Sequence, residues 1–116
     1  MKSMESNLFK IRIDNGKELV RDVLRRNEHP LSKEIVSKIC DAMDRNQTYV
    51  EIAEIITPVE VITIHSTSPN FLTTLESNLE TLVKYEEYEV CALAVKHIDL
   101  LKEKKIQRLL ENNLED

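Results

Sequence analysis

Residues 48–65 read Thr48-Tyr49-Val50-Glu51-Ile52-Ala53-Glu54-Ile55-Ile56-Thr57-Pro58-Val59-Glu60-Val61-Ile62-Thr63-Ile64-His65. Two patterns compete here. Thr48 with Glu51, and Thr57 with Glu60, each have the Thr-x-x-Glu form of a capping box, in which hydroxyl and carboxylate satisfy free backbone N–H groups at a helix start. Pro58 adds the residue favoured at a first helical position. These signals predict a short helix over 49–56 and a second one through 59–64. Against the second stands a run of β-branched residues, Val59, Val61, Ile62, Thr63 and Ile64, which suits a strand. The capping signals tip 59–64 narrowly towards helix. If it is a strand, its natural partner is Phe9 to Ile13, giving one short two-stranded ribbon against a helical body.

Towards the N-terminus, residues 1–7 are polar, and frayed ends are common in such tracts. Phe9-Lys10-Ile11-Arg12-Ile13-Asp14 alternates apolar and polar residues strictly before Asn15-Gly16, so a strand ending in a turn is expected. Leu19, Val20, Val23 and Leu24 recur at helical spacing and predict a helix over 17–27. Pro30 stops that element, and Ser32 caps a helix over 33–45 with Ile35, Val36, Ile39, Cys40 and Met43 as its apolar stripe.

Towards the C-terminus, Ser66-Thr67-Ser68-Pro69-Asn70 is the clearest linker, with Ser68 and Pro69 opening a helix over 69–84. The 3.6-residue rhythm breaks once, around Lys84 to Glu87, and a long helix follows over 86–112. The break predicts an antiparallel hairpin, with Leu75, Leu79 and Leu82 facing Ala92, Val95, Ile98 and Leu101. Cys91, Ala92 and Ala94 are small enough for close approach of the axes. At 1.5 Å per residue the second helix runs about 40 Å, longer than a small domain covers. Ile106, Leu109, Leu110 and Leu114 continue an apolar stripe that fits either an oligomer seam or a fold-back onto the same domain.

Composition sets outer bounds. At 116 residues the chain is the size of one domain. With 41% apolar residues, 4% aromatic and one glycine, the core must be built from aliphatic side chains, and a glycine-rich phosphate cradle is absent. Cys40 and Cys91 lie among apolar helical neighbours, and no basic start with an apolar core marks a signal peptide, so a reduced, cytoplasmic protein is expected. No apolar run approaches the roughly 20 residues needed to cross a bilayer. Net charge is −5, split between +2 over residues 1–46 (ten basic, eight acidic) and −7 over 47–116 (six basic, thirteen acidic). Solvated helix surfaces account for most such splits.

One resemblance adds to this reading. Leu75, Leu79 and Leu82, then Tyr88, Glu89, Cys91 and Ala92, then Ile98 and Leu101, fall in the order and spacing of the UVR motif, the helical hairpin of UvrB and UvrC that also occurs in McsA-type adaptors of Clp ATPases. The match spans about 27 residues. Where that family has an Arg-Asp pair, this chain has Val95-Lys96. The resemblance implies a protein-binding hairpin without chemistry of its own, which docks on similar hairpins or on itself.

Residues 51–55 are also similar to the opening of a helix-turn-helix, in which a short helix supports a recognition helix in the major groove. The glycine turn is missing, the turn is about two residues short, and the second helix carries no Lys or Arg to meet phosphates. Arg21, Arg25, Arg26, Lys33 and Lys38 are the available nucleic-acid contacts on neighbouring helices. Catalytic patterns are absent. His29, His65 and His97 show no metal-ligand spacing with one another or with the cysteines, and no nucleophile elbow or nucleotide fingerprint occurs. Four basic residues from Lys102 to Arg108 suit a helix C-terminus better than a membrane surface, since acidic residues dilute them.

The sequence thus predicts a mainly α single domain, 1–116, with an N-terminal helical part over 7–65 and a C-terminal antiparallel helical hairpin over 69–112. The expected function is that of a small non-enzymatic adaptor, regulator or inhibitor that forms a homodimer and needs no cofactor or metal. Its partner-binding residues are Lys84, Tyr85, Glu86, Glu87 and Glu89 at the hairpin turn, with Val95 and Lys96 beside them. The alternative is a small DNA-binding regulator.

Overall fold

The apolar positions of residues 49–56 change phase in mid-run, and that shift decides what the segment becomes. Val50 and Ile52 keep one alternation, Ala53 and Ile55 the opposite one. In the computed structural model, which describes residues 8–14 and 17–114, the segment is a strand, β2 (Tyr49–Ile56), beside β1 (Phe9–Arg12) and β3 (Val61–Thr67). β3 runs antiparallel to β2 with Glu51 opposite His65 and Ala53 opposite Ile64, so Ile52 is the extra residue of a β-bulge. The bulge absorbs the phase change and lets Ile52, Ala53 and Ile55 all reach the core.

This corrects three expectations. Residues 49–56 are not a helix, 59–64 contributes to a strand, and β2 rather than β3 is the partner of β1. The sheet order is β1-β2-β3, with β1 parallel and β3 antiparallel to the central β2. The second capping signal is a turn device: Thr57 Oγ1 accepts the N–H groups of Val59 and Glu60 at 3.2 and 3.0 Å within the β2–β3 loop. Ser and Thr serve turns and helix caps by the same hydrogen bond.

A parallel β1–β2 pair needs a crossover. It is supplied by α1 (Val20–Arg26) and α2 (Glu28–Asp44), separated only by Asn27, whose side chain donates to Val23 O at 2.8 Å. Pro30 does not end a helix. It lies in the first turn of α2, where N–H groups lack intrahelical partners anyway. Ser32, expected as a cap, is buried inside the same helix.

The expected linker at 66–70 is likewise absent: β3 ends at Thr67 and α3 (Ser68–Lys84) starts at once, with Ser68 N–H donating to Thr48 O at 2.8 Å. The last element is α4 (Tyr88–Leu114). α4 packs on both α2 and α3, and α2 also covers β2. The fold is therefore mixed α/β and helix-rich, with four helices and a three-stranded sheet among the described residues, in place of five or six helices with at most a ribbon.

The buried side chains form one cluster in which Val36, Ile39 and Cys40 of α2, Ile52 and Ile55 of β2, and Phe71, Leu75 and Leu82 of α3 meet Cys91, Ala94 and Ile98 of α4. The face of α4 turned inward therefore differs from the expected one, since Ala92 and Val95 are exposed. Beyond Leu101, residues 102–112 are exposed throughout. The radius of gyration, 16.8 Å, exceeds the roughly 13 Å of a compact 100-residue domain, as a projecting helix requires.

Candidate functional site

The turn between α3 and α4 is built by a helix-ending motif that normally uses glycine. Glu86 N–H donates to Val83 O at 3.1 Å and Glu87 N–H to Leu82 O at 3.1 Å, the paired bonds of a Schellman motif. That closure puts Glu86 in the left-handed region, φ 57°. The same motif ends α2, but there the left-handed residue is Asn46, φ 58°, a type that tolerates the conformation. Glu86 does not, and a non-glycine residue there costs about 1–2 kcal/mol. Glu87 then starts α4, its carbonyl accepting Cys91 N–H at 2.9 Å.

The first turns of α2 grip this corner. The His29 ring stacks on the Tyr85 ring with centroids 4.2 Å apart and planes 7° from parallel. His29 Nε2 lies 2.5 Å from Glu87 Oε2, and Lys33 Nζ lies 3.4 Å from the same oxygen. The Tyr85 hydroxyl donates to Glu28 Oε2 at 2.9 Å, where Lys84 Nζ also approaches to 3.5 Å. The hydrogen bond from His29 chiefly, with Lys33 assisting against partial desolvation, holds the Glu87 carboxyl below its usual range. The bond to Glu28 keeps the proton on Tyr85, raising its pKa.

Of the predicted partner-binding residues, Lys84, Tyr85 and Glu87 are thus engaged in holding the turn. Glu86 and Glu89 face solvent, with Tyr88, 65% exposed, donating to Glu86 Oε1 at 3.4 Å. Val95 and Lys96 lie two turns along α4, both exposed. Glu28 and His29 were not anticipated. His29 and Lys33 do have the i, i+4 spacing that puts both on one helix face, but nothing local in the sequence couples them to Glu87.

The proposed nucleic-acid contacts Arg21, Arg25 and Arg26 lie on α1, and Lys33 and Lys38 on α2. Lys33 is committed to Glu87, and Arg26 pairs with Glu18 at 2.8 Å. Arg21 and Arg25 line a cavity of about 290 Å³ together with Glu28, Ser32, Asn78 and Thr81. Lys38 is half-buried farther along α2. Residues 48–65 form β2, β3 and their loop, so they supply no recognition helix.

Chemistry elsewhere is muted. Burial pushes the Cys40 thiol up to about 12, with Asp44 adding to the effect and Lys96 opposing it; desolvation raises Cys91 as well. Both stay protonated at neutral pH, whereas the thiolate is the reactive form. His97, 1% exposed, spends its ring nitrogens on Leu93 O and on Asp44 Oδ1, each at 2.9 Å. It ties α4 to the last residue of α2. Among the described residues no group of three or more His, Cys, Asp or Glu side chains is placed to hold a metal ion, and no helix is long and apolar enough to cross a membrane.

Comparison with known protein families, with curated proteins and with solved structures finds no match for this chain.

Replacing Glu86 by Gly relieves the left-handed strain, partly offset by the extra freedom glycine gives the unfolded chain. The expected gain is about 0.5–1 kcal/mol by urea denaturation; an equal or larger loss would show that Glu86 is held by favourable contacts instead. The Glu87 carboxyl, being below its ordinary 4.5 in the folded state, contributes stability that is complete above that value and is lost as pH falls below it. Glu87→Gln should therefore flatten the stability profile below pH 4.5, and an unchanged slope would contradict the network.

Proposed function

We propose that this chain is a small non-enzymatic interaction protein, an adaptor or regulator, whose docking surface runs from the α3–α4 turn along the open side of α4. The observation that carries this reading is the second stripe of α4. Positions 88, 92, 95, 99, 102, 106 and 109 recur at helical spacing on one face, and all seven are exposed. Five of them are apolar or aromatic: Tyr88, Ala92, Val95, Ile106 and Leu109. The inward stripe of Cys91, Ala94, Ile98 and Leu101 already supplies the contacts to the core, so the open one adds to the fold only the exposed Lys102–Glu76 ion pair at 3.5 Å.

Tyr88 is the natural anchor, since tyrosine at a partly apolar patch combines large contact area with a hydrogen-bonding end. Glu86 and Glu89 beside it favour a partner with basic residues at that end. The UVR-like order of residues from Leu75 to Leu101 supports the same reading, in which α3 and α4 act as a helical hairpin that docks on another protein. Val95-Lys96 in place of an Arg-Asp pair makes this surface more apolar than in that family. The cytoplasm suits two free buried cysteines.

The test is affinity purification from the native host with the wild-type chain and with Tyr88→Ala combined with Val95→Lys, both exposed positions where folding should survive. Loss of an anchor tyrosine weakens binding by about 2 kcal/mol, roughly 30-fold, so a partner held by the wild type should be missing from the variant. The same proteins recovered with both chains would overturn the reading. So would retention on duplex DNA that falls steeply with added salt, the signature of phosphate contacts.

A further inference from the structure

β3 is the exposed edge of the sheet, and it lacks the devices that keep edges apart. β1, the other edge, is four residues long and carries Lys10 and Arg12. Short length and charge are common guards against edge-to-edge pairing. β3 has seven residues, Val61-Ile62-Thr63-Ile64-His65-Ser66-Thr67, with no Lys, Arg, Asp, Glu or Pro, and the bulge of this sheet lies in β2 instead. Among the described residues no strand pairs with its second edge.

The backbone of that edge is set for pairing. Thr57 N–H donates to Glu60 O at 2.9 Å and Ser68 N–H to Thr48 O at 2.8 Å, one at each end of the hairpin. Antiparallel strands alternate bonded and non-bonded pairs, so residues 60, 62, 64, 66 and 68 turn their backbone groups to β2. Val61, Thr63, His65 and Thr67 turn theirs outward.

We infer that β3 pairs antiparallel with β3 of a second copy about a two-fold axis at Ile64, joining two three-stranded sheets into one of six. In this register Thr63 bonds the partner's His65 and Val61 the partner's Thr67. The half-buried Ile62 and Ile64 of the core face meet the partner's Ser66 and the partner's Ile64, which completes their cover. Glu60 falls opposite the partner's Ser68, the first residue of its α3. That helix has no side-chain cap and no acidic residue in its first turn, so a carboxylate there meets the positive end of an uncompensated helix dipole. This charge match, made twice by symmetry, selects a second copy over an unrelated strand. None of the residues in this pairing belongs to the open stripe of α4.

Size-exclusion chromatography with light scattering, at high micromolar concentration, tests the inference on the full chain and on Thr63→Pro. Proline at 63 removes only an N–H that points away from β2, so the hairpin keeps its internal bonds, and edge strands tolerate proline. The wild type should give twice the 13.5 kDa chain mass, and Thr63→Pro the chain mass alone with an unchanged circular dichroism spectrum. Thr63→Lys, at the same exposed position, gives the same result if proline disturbs the fold. A monomeric wild type overturns the inference, and so does a folded Thr63 variant that stays dimeric. Leu109→Lys in α4 should leave the dimer intact; if it alone yields monomer, the interface lies on α4 and the inference fails.

Discussion

Burial of α2 on two sides is the constraint on which the other elements depend. Its Val36 and Ile39 are fully buried and Cys40 nearly so, between the sheet on one side and α3 and α4 on the other. Each aliphatic side chain removed from water contributes about 1.5–3 kcal/mol, so this helix supplies the apolar surface against which β2, α3 and α4 are all stabilised. Its ends are fixed by polar contacts of another kind. Glu28, His29 and Lys33 hold the α3–α4 turn, while Asp44 holds His97 and the Cys40 thiol donates to Leu93 O at 3.9 Å. Partly exposed ion pairs of the first group are worth about 0–1 kcal/mol each. Their effect is on geometry: they fix where α4 begins relative to α2.

That division of labour explains why a strained residue persists at the corner. Glu86 takes the left-handed position at some cost because neighbours on both sides are anchored, Tyr85 by stacking on His29 and Glu87 by hydrogen bonding to it. A turn closed in this way presents Glu86, Tyr88 and Glu89 on a rigid base. Rigid presentation lowers the ordering cost of binding, which supports the docking role proposed above.

The sequence made the α-helical C-terminal half legible because α3 and α4 carry long, regular apolar spacing with one clear break. It showed β1 in the strict alternation from Phe9 onward but hid the central strand for a specific reason. The bulge at Ile52 interrupts the two-residue alternation that identifies strands, and the residues around it, with two Thr-x-x-Glu pairs, imitate helix starts. Pro30 misled in the opposite direction, since a proline in the first turn does not end a helix. The fold class therefore moved from mainly α to mixed, although the helices dominate. The turn itself was visible as the rhythm break at 84–87. The residues that hold it were not, because Glu28 and His29 lie 56 to 58 positions away along the chain and only the packing of α2 brings them there.

The central claim is that α2 holds the α3–α4 turn as part of the folded body. Native-state amide hydrogen exchange measures this directly. The amides of Glu86 and Glu87 should exchange with an opening free energy close to that of Val36 and Ile39 in α2, and in His29→Ala they should lose protection while Val36 and Ile39 keep theirs. Exchange of the two turn amides at unprotected rates in the wild type, with α2 still protected, would contradict the account.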